Sequence, residues 1–338
     1  MIAISHTPEA SRWDEFVASS PQATGYHSWA WRQIFERAFG HRTEYLAASD
    51  GGRIVGVLPL VFFDSWMFGR FAVSLPFVNY GGVVAADDDV ARALVDAAVA
   101  SARDARLDHL ELRHFARRLP DVPCKQHKVT MILPLERGSW DRLDRKVRNQ
   151  IRKAQKSNLT HEHGGVELVD AFYGVFARNM RDLGTPVLGR HFFREVLQTF
   201  PDRAALHVVR LEGAPIAGAL TYRTNGTIEV PWASSVRDYN ALCPNHLLYW
   251  SIVEFATAAG CRTLDFGRST PNEGTYKFKE QWGAEPVALH WEYPLLSGVA
   301  LPNASPTNPK YRLAIGVWRK LPLAITNRVG PAIVRAIP

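Results

Sequence analysis

Glu212-Gly213-Ala214-Pro215-Ile216-Ala217-Gly218-Ala219-Leu220 says again what Asp50-Gly51-Gly52-Arg53-Ile54-Val55-Gly56-Val57-Leu58 says earlier in the chain. In each, a tight glycine turn opens an apolar run. The segment before the turn, residues 44–47 in one case and 206–209 in the other, pairs with that run as a β-hairpin. Each hairpin is followed by another apolar segment, then a helix and a further strand. In the first half these are the helix over residues 90–104 and the strand over 108–112; in the second, the helix over 245–259 and the strand over 263–266. Leu248, Ile252, Phe255 and Ala259 recur at helical spacing, and Gly260 supplies the stop. A helix also precedes each hairpin, near residues 29–39 and 172–183. The order helix, hairpin, strand, helix, strand, used twice, predicts an α/β (α+β) chain of two domains with one topology.

Between the halves, residues 140–156 place Trp140, Leu143, Val147, Ile151 and Ala154 on one helical face, with cations on the others. This reads as a basic helix docked on the body. Arg148 and Arg152, one turn apart, can grip the same anion, although a solvated basic face fits the pattern equally well. The expected division is a first domain at 1–139, a basic helical connector at 140–158, a second domain at 159–298 and an amphipathic tail at 299–338.

The strand over 263–266 runs into Gly267-Arg268-Ser269-Thr270-Pro271-Asn272-Glu273-Gly274-Thr275-Tyr276-Lys277-Phe278-Lys279-Glu280-Gln281-Trp282-Gly283-Ala284. Ligand sites of open α/β sheets gather at the carboxyl ends of strands. A turn with solvated lysines is the plainer alternative.

The 338 residues are 46% hydrophobic, which describes a globular protein of about two domains. The formal charge of +7 is concentrated at one end. From residue 294 onward there is no acidic residue, while Lys310, Arg312, Arg319, Lys320, Arg328 and Arg335 supply six positives, leaving the rest at +1. A general nucleic-acid binder is therefore not indicated. Within the tail, Leu313, Val317, Leu321 and Ile325 recur every fourth residue, as suits an anionic membrane surface at 310–335. Packing on the body or a partner is the alternative; removal beyond Ser305 is expected to spare the fold. Cys124, Cys243 and Cys261 fit no zinc or disulfide framework. Without a basic, apolar leader at the start, a cytoplasmic location is expected, with membrane association on the inner face.

The duplicated unit, the Ile151-Arg152-Lys153-Ala154 connector, the Asn179-Met180-Arg181-Asp182-Leu183-Gly184-Thr185-Pro186 segment and the Phe278-Lys279 pair, in that order, resemble the FemAB/FemX family. The likeness covers residues 29–291 and is nearest the branch associated with exosortase and exopolysaccharide gene clusters. It implies two tandem GNAT-like domains with mixed, mostly antiparallel sheets flanked by helices, and a site in the groove they share. It also implies transfer of an acyl or aminoacyl group to an amine of an envelope or exopolysaccharide acceptor. No cofactor is held permanently; the donor is aminoacyl-tRNA, which would make tRNA a partner, or acyl-CoA. Phe278 and Lys279 match the family's Phe-Lys pair, whose lysine lies near the reacting carbonyl. Asn79-Tyr80-Gly81-Gly82 resembles the first-domain loop beside the acceptor channel.

The chemistry agrees. Amine attack on an ester or thioester builds charge on the carbonyl oxygen, and a fixed cation there lowers the barrier by roughly 3 to 4 kcal/mol. Lys279 is the candidate for that role, and Asp265 for base, directly or through water; a structural acceptor is the alternative for Asp265. Tyr276 and Arg268 can orient donor or acceptor, or serve loop packing and a surface ion pair. The substrate-binding set is completed by Asn79, Tyr80, Arg148, Arg152, Trp232 and Phe278.

The chain departs from the pattern of CoA-binding GNAT domains, because residues 237–245 lack the glycines of their pyrophosphate loop. Arg32 is the nearest cation after Trp31 to the family's first-domain lysine. Two other classes stay open: a CoA-dependent acetyltransferase acting on a sugar or lipid-linked amine, and a non-catalytic membrane-peripheral scaffold. His161-Glu162-His163 puts two histidines on one face without a third ligand, so no metal is expected. Ser234, Ser235 and Ser269 lack a triad. Trp29, Trp31, Phe35 and Phe39 read as core.

Overall fold

The computed structural model describes residues 2–65, 68–136, 139–296 and 309–337, with the backbone alone at 309–312. Two compact units emerge. The first comprises residues 1–128, 288–304 and 335–338, and the second comprises 129–287 and 305–334. Chain order and unit membership therefore part company at a strand entering the second unit at Val129 and a segment returning to the first at Ala288.

The first unit runs β1 (Ala3–Ser5), α1 (Ala10–Ser19), α2 (Ala30–Phe39), β2 (Thr43–Asp50), β3 (Arg53–Ser65), β4 (Gly69–Val73), β5 (Val84–Ala85), α3 (Asp88–Asp104), β6 (His109–His114) and β7 (Cys124–Lys125). The second runs β8 (Val129–Pro134), α4 (Arg145–Lys156), β9 (Leu159–Gly164), α5 (Val169–Leu183), α6 (Arg190–Thr199), β10 (Ala204–Leu211), β11 (Ala214–Thr224), β12 (Thr227–Ser235), α7 (Pro244–Ala258), β13 (Thr263–Ser269), α8 (Gly274–Glu280) and β14 (Glu285–Ala288). Strand β15 (His290–Glu292) belongs to the first sheet, and helices α9 (Pro309–Trp318) and α10 (Leu323–Val334) close the chain.

The sheet orders are β1-β2-β3-β4-β6-β15-β7, with β5 beside β3, and β14-β8-β13-β12-β11-β10-β9. The repeat read from the sequence is present in both: a hairpin (β2-β3, β10-β11), a third strand (β4, β12), a crossover helix (α3, α7) and a parallel strand (β6, β13). The two hairpin turns work for the same reason. Asp50 pairs with Arg53 across Gly51 (φ 53°) and Gly52 (φ 81°), and Leu211 pairs with Ala214 across Glu212 (φ 49°) and Gly213 (φ 82°). Two successive left-handed residues give the turn whose twist matches the strands.

Parallel neighbours need a helix between them, so α3 and α7 bury their stripes on the sheets. Leu94, Val95 and Ala98 of α3 join the first core, and Leu248, Ile252 and Ala256 of α7 the second. The connector forms a 3-10 turn at Trp140–Arg142, and α4 begins only at Arg145, because the Asp144 carboxylate caps it by accepting from the Lys146 amide at 2.7 Å. Val147, Ile151 and Ala154 are wholly buried, as the spacing indicates. Trp31, Phe35 and Phe39 are core.

Strand β15 is fastened by a polar core. Val83 N–H donates to His114 Nε2 at 3.0 Å, which fixes the tautomer, so Nδ1–H donates to Glu292 at 2.7 Å. The Glu292 carboxylate also accepts the Arg118 and Leu119 amides. Burial opposes its charge, yet the His114 and amide hydrogen bonds hold it below the ordinary carboxylate value. Beside it, the buried Arg113 guanidinium pairs with Glu111 and lies 4.3 Å from the centre of the Trp291 ring. Gly82 makes room for this arrangement, since a Cβ there would stand 1.9 Å from His114 Cδ2. Gly82→Ala is expected to displace an imidazole locked at both nitrogens and to cost about 2 to 4 kcal/mol, read as a lower urea midpoint. An unchanged midpoint would contradict this account.

Candidate active site

The second unit's two parallel strands run together only briefly. β12 and β13 pair from Thr227–Thr263 to Glu229–Asp265, and beyond that register the strands are not paired with one another. At the same level β13 breaks its register with β8 between Asp265 and Arg268. Gly267 takes φ 77° in this bulge, a conformation open to glycine and strained for other residues.

Asp265 builds the bulge. Its carboxylate is fully buried and accepts from the Thr130 hydroxyl of β8 and from the Gly267 amide at 2.7 Å. The outward-turned carbonyls are then taken by Lys279, whose Nζ donates to Gly267 O at 2.9 Å and to Arg268 O at 3.0 Å. Lys279 lies on the short helix α8, and only 7% of it is exposed. Burial lowers its ammonium to about 8, the Asp265 charge works in the opposite direction, and Arg268 adds to the lowering. Two carbonyls occupy two of the three ammonium protons, which leaves one donor direction for a further acceptor.

An aromatic layer holds α8 in place. The half-buried Phe278 ring lies 5.0 Å from His246, 5.4 Å from Tyr249 and 6.3 Å from Trp282, and Tyr276 packs on the same core. His246, three residues into α7, is kept neutral by burial and by Lys146, which together lower it to about 4. Its Nε2, the Trp282 Nε1 and the Ser269 hydroxyl are buried without a hydrogen-bond partner among the described residues. Thr130 and His246 escape a sequence reading, since Thr130 acts from a distant strand and His246 sits among helix-core residues.

The structure thus gathers Lys279, Asp265 and Arg268 around one bulge, while Phe278 and Tyr276 of α8 pack on the core. The others are placed elsewhere. Arg152 lies 5.2 Å over the Trp140 ring, while Arg148 is half-buried with its Nε unpaired among the described residues. Trp232 is buried and meets the Phe192 and Phe193 rings edge to face at 5.1 and 5.6 Å. In the first unit Asn79 and Tyr80 are each 3% exposed, with Tyr80 4.0 Å from the Phe115 ring and 5.4 Å from Tyr26. His161 meets His207 at 3.3 Å, and His207 in turn contacts Thr221. No group of three or more His, Cys, Asp or Glu residues that could hold a metal is found among the described residues.

Comparison with known proteins finds likenesses of fold. Residues 142–280 match the acetyltransferase (GNAT) domain family. FemX superposes with a TM-score of 0.66 at 16% identity, over 93% of this chain and all of its own. A tandem GNAT protein from the clavulanic acid biosynthesis pathway gives 0.60 at 14%, over 89% and 100%. L-PGS from Bacillus licheniformis gives 0.59 at 12%, over 94% and 99%. No curated protein matches by sequence.

The Lys279 shift carries a signed consequence. Between about pH 8 and 10.5 the unfolded chain keeps a proton that the folded chain has released, so this group adds stability as pH rises through that window. The gain approaches about 3 kcal/mol at most. Thermal melts of the wild type and Lys279→Met are expected to diverge in the wild type's favour from pH 8 to 10; a constant difference would contradict the burial of a charged ammonium.

Proposed function

We propose that this chain, a GNAT-fold acyltransferase of FemAB-like architecture, transfers an acyl or aminoacyl group to an amine of an envelope or exopolysaccharide acceptor, using Lys279 to stabilise the oxyanion. The observation that carries the reading is a buried ammonium fixed at a strand bulge, at the level where β12 and β13 cease to pair. A GNAT domain takes its acyl donor as a co-substrate and needs no permanent cofactor. An ester or thioester carbonyl set near Lys279 receives the acceptor nitrogen at carbon, and the third ammonium proton meets the oxygen as it becomes anionic. Collapse expels the thiolate or the ribose oxygen, and the amine proton leaves to that group or to solvent. Acceleration comes from positioning and from a cation set in advance, without a covalent enzyme intermediate.

Asp265 is committed to Thr130 and Gly267, which favours a positioning role over that of base. Arg268, whose carbonyl binds Lys279, and Tyr276 and Phe278, on the same helix as Lys279, serve to orient donor or acceptor. Arg148 and Arg152 are held for substrate binding on their one-turn spacing in α4, Asn79 and Tyr80 on the resemblance, and Trp232 is kept in the same set. In this reading the protein is cytoplasmic and associates with the inner face of a membrane.

A CoA donor has a specific observation in its favour. Helix α7 starts at Pro244, which has no N–H, and the His246 amide donates to Cys243 O at 3.0 Å, so it is the Asn245 amide that can face a phosphate. Aminoacyl-tRNA is the other donor, supported by the FemX-like fold.

Labelled acetyl-CoA and labelled aminoacyl-tRNA, each offered with a muropeptide lysine and with glucosamine, test the reading directly. Transfer from one donor is expected, falling about 100- to 1,000-fold in Lys279→Ala with KM little changed. Activity should also fall above about pH 8 as the ammonium loses its proton. Transfer that survives Lys279→Ala would remove the lysine from the mechanism, and no transfer from either donor to either amine would favour a non-catalytic scaffold.

A further inference from the structure

Helices α9 and α10 have two unlike faces. One is fastened to the second unit: Arg319 donates to Leu183 O at 3.1 Å, and Ile315 lies so close to Gly184 that a Cβ there would meet it at 2.4 Å. Gly330 lies against Val187, Pro331 against Gly189, and α10 packs on α5, burying Thr326, Gly330 and Val334. The alternatives of packing on the body and facing a membrane are therefore not exclusive, because they concern opposite sides of the same helices. Removal beyond Ser305 would uncover the α5 surface, so it is not the neutral change expected from sequence.

The other face is apolar and cationic. Leu313 is 80% exposed, Val317 54%, Ile325 45% and Val329 41%, and these are half of the large exposed hydrophobic residues among the described ones. Single exposed apolar residues are ordinary. Here they follow helical spacing, Leu313 with Val317 and Ile325 with Val329, and Lys320 and Arg328 stand exposed beside them. With no acidic residue from position 294 onward, nothing in the tail neutralises the six cations. A second copy docking about a two-fold axis would set this positive face against itself, so charge argues for an anionic occupant. No helix among the described residues is long and apolar enough to cross a membrane, which leaves contact in the plane of its surface.

We infer that the outer face of α9 and α10 docks the protein on an anionic lipid surface, with Leu313, Val317, Ile325 and Val329 entering the acyl boundary and Lys320 and Arg328 meeting headgroup phosphates. The apolar side chains supply affinity and the cations select the lipid. Because the opposite face is bound to α5, the second unit itself is held at the membrane. This docking is independent of the acyl-transfer chemistry.

The test is sedimentation of the full chain with vesicles of phosphatidylcholine alone and of equimolar phosphatidylcholine and phosphatidylglycerol. Binding is expected on the mixed vesicles alone and should weaken with salt. Leu313→Gln with Ile325→Gln, and Lys320→Glu with Arg328→Glu, should each reduce it on the order of ten-fold or more. All four positions face solvent, so melting temperatures should stay at the wild-type value, and light scattering should show no change in mass. Equal binding to both vesicles, no binding, or variants that bind like the wild type would overturn the inference. A wild-type dimer that the Gln variant dissociates would overturn it too, by assigning the face to a second copy.

Discussion

An ammonium group taken out of water must be held by oxygens or lose its proton, and the second unit is organised around that constraint. Lys279 is held by the carbonyls of Gly267 and Arg268. Those carbonyls are turned toward it only because β13 bulges, and the bulge exists because Asp265 caps the Gly267 amide while Thr130 secures Asp265 from the next strand. Burial weakens the charge without abolishing it, since Asp265 pulls in the opposite direction. Such a group is cationic near neutrality and poorly hydrated, which makes it an effective partner for an oxygen that gains charge during a reaction.

Strand exchange is what makes this possible. Thr130 comes from β8, which precedes the connector helix and enters the second sheet beside β13. In the first sheet β6 pairs with β15, which follows the second unit's strands in the chain and is fastened by His114 and Glu292. Each sheet thus completes itself with a strand that chain order does not suggest. Buried polar pairs at these joins are costly unless satisfied, and both are: Asp265 and Glu292 each accept more than one hydrogen bond.

Local grammar made much of the architecture legible. The doubled left-handed turns, the helical stripes of α3 and α7 and the connector's Val147-Ile151-Ala154 face all follow from spacing that any observer of the chain can see. The stretch that carries the candidate site was visible as well, as a cluster of lysine, arginine and aromatics after β13. What spacing did not reveal was which polar groups face one another. Arg148 and Arg152 stand one turn apart on a helical wheel, but spacing does not show that Arg152 lies over the Trp140 ring, nor that Trp232 meets Phe192 and Phe193 edge to face. Such outcomes depend on which aromatic surface lies within reach, a property of packing.

Sequence by itself determined the repeated hairpin, strand, helix and strand, and the acid-free basic end, because these rest on local backbone preference and on composition. Tertiary structure alone decided that Lys279 is buried and bound by the bulge, that Thr130 and Glu292 complete sheets from distant segments, and that the tail turns one face to α5 and the other to solvent. The physical reason is common to all three: desolvation and hydrogen-bond satisfaction are settled by neighbours far away along the chain.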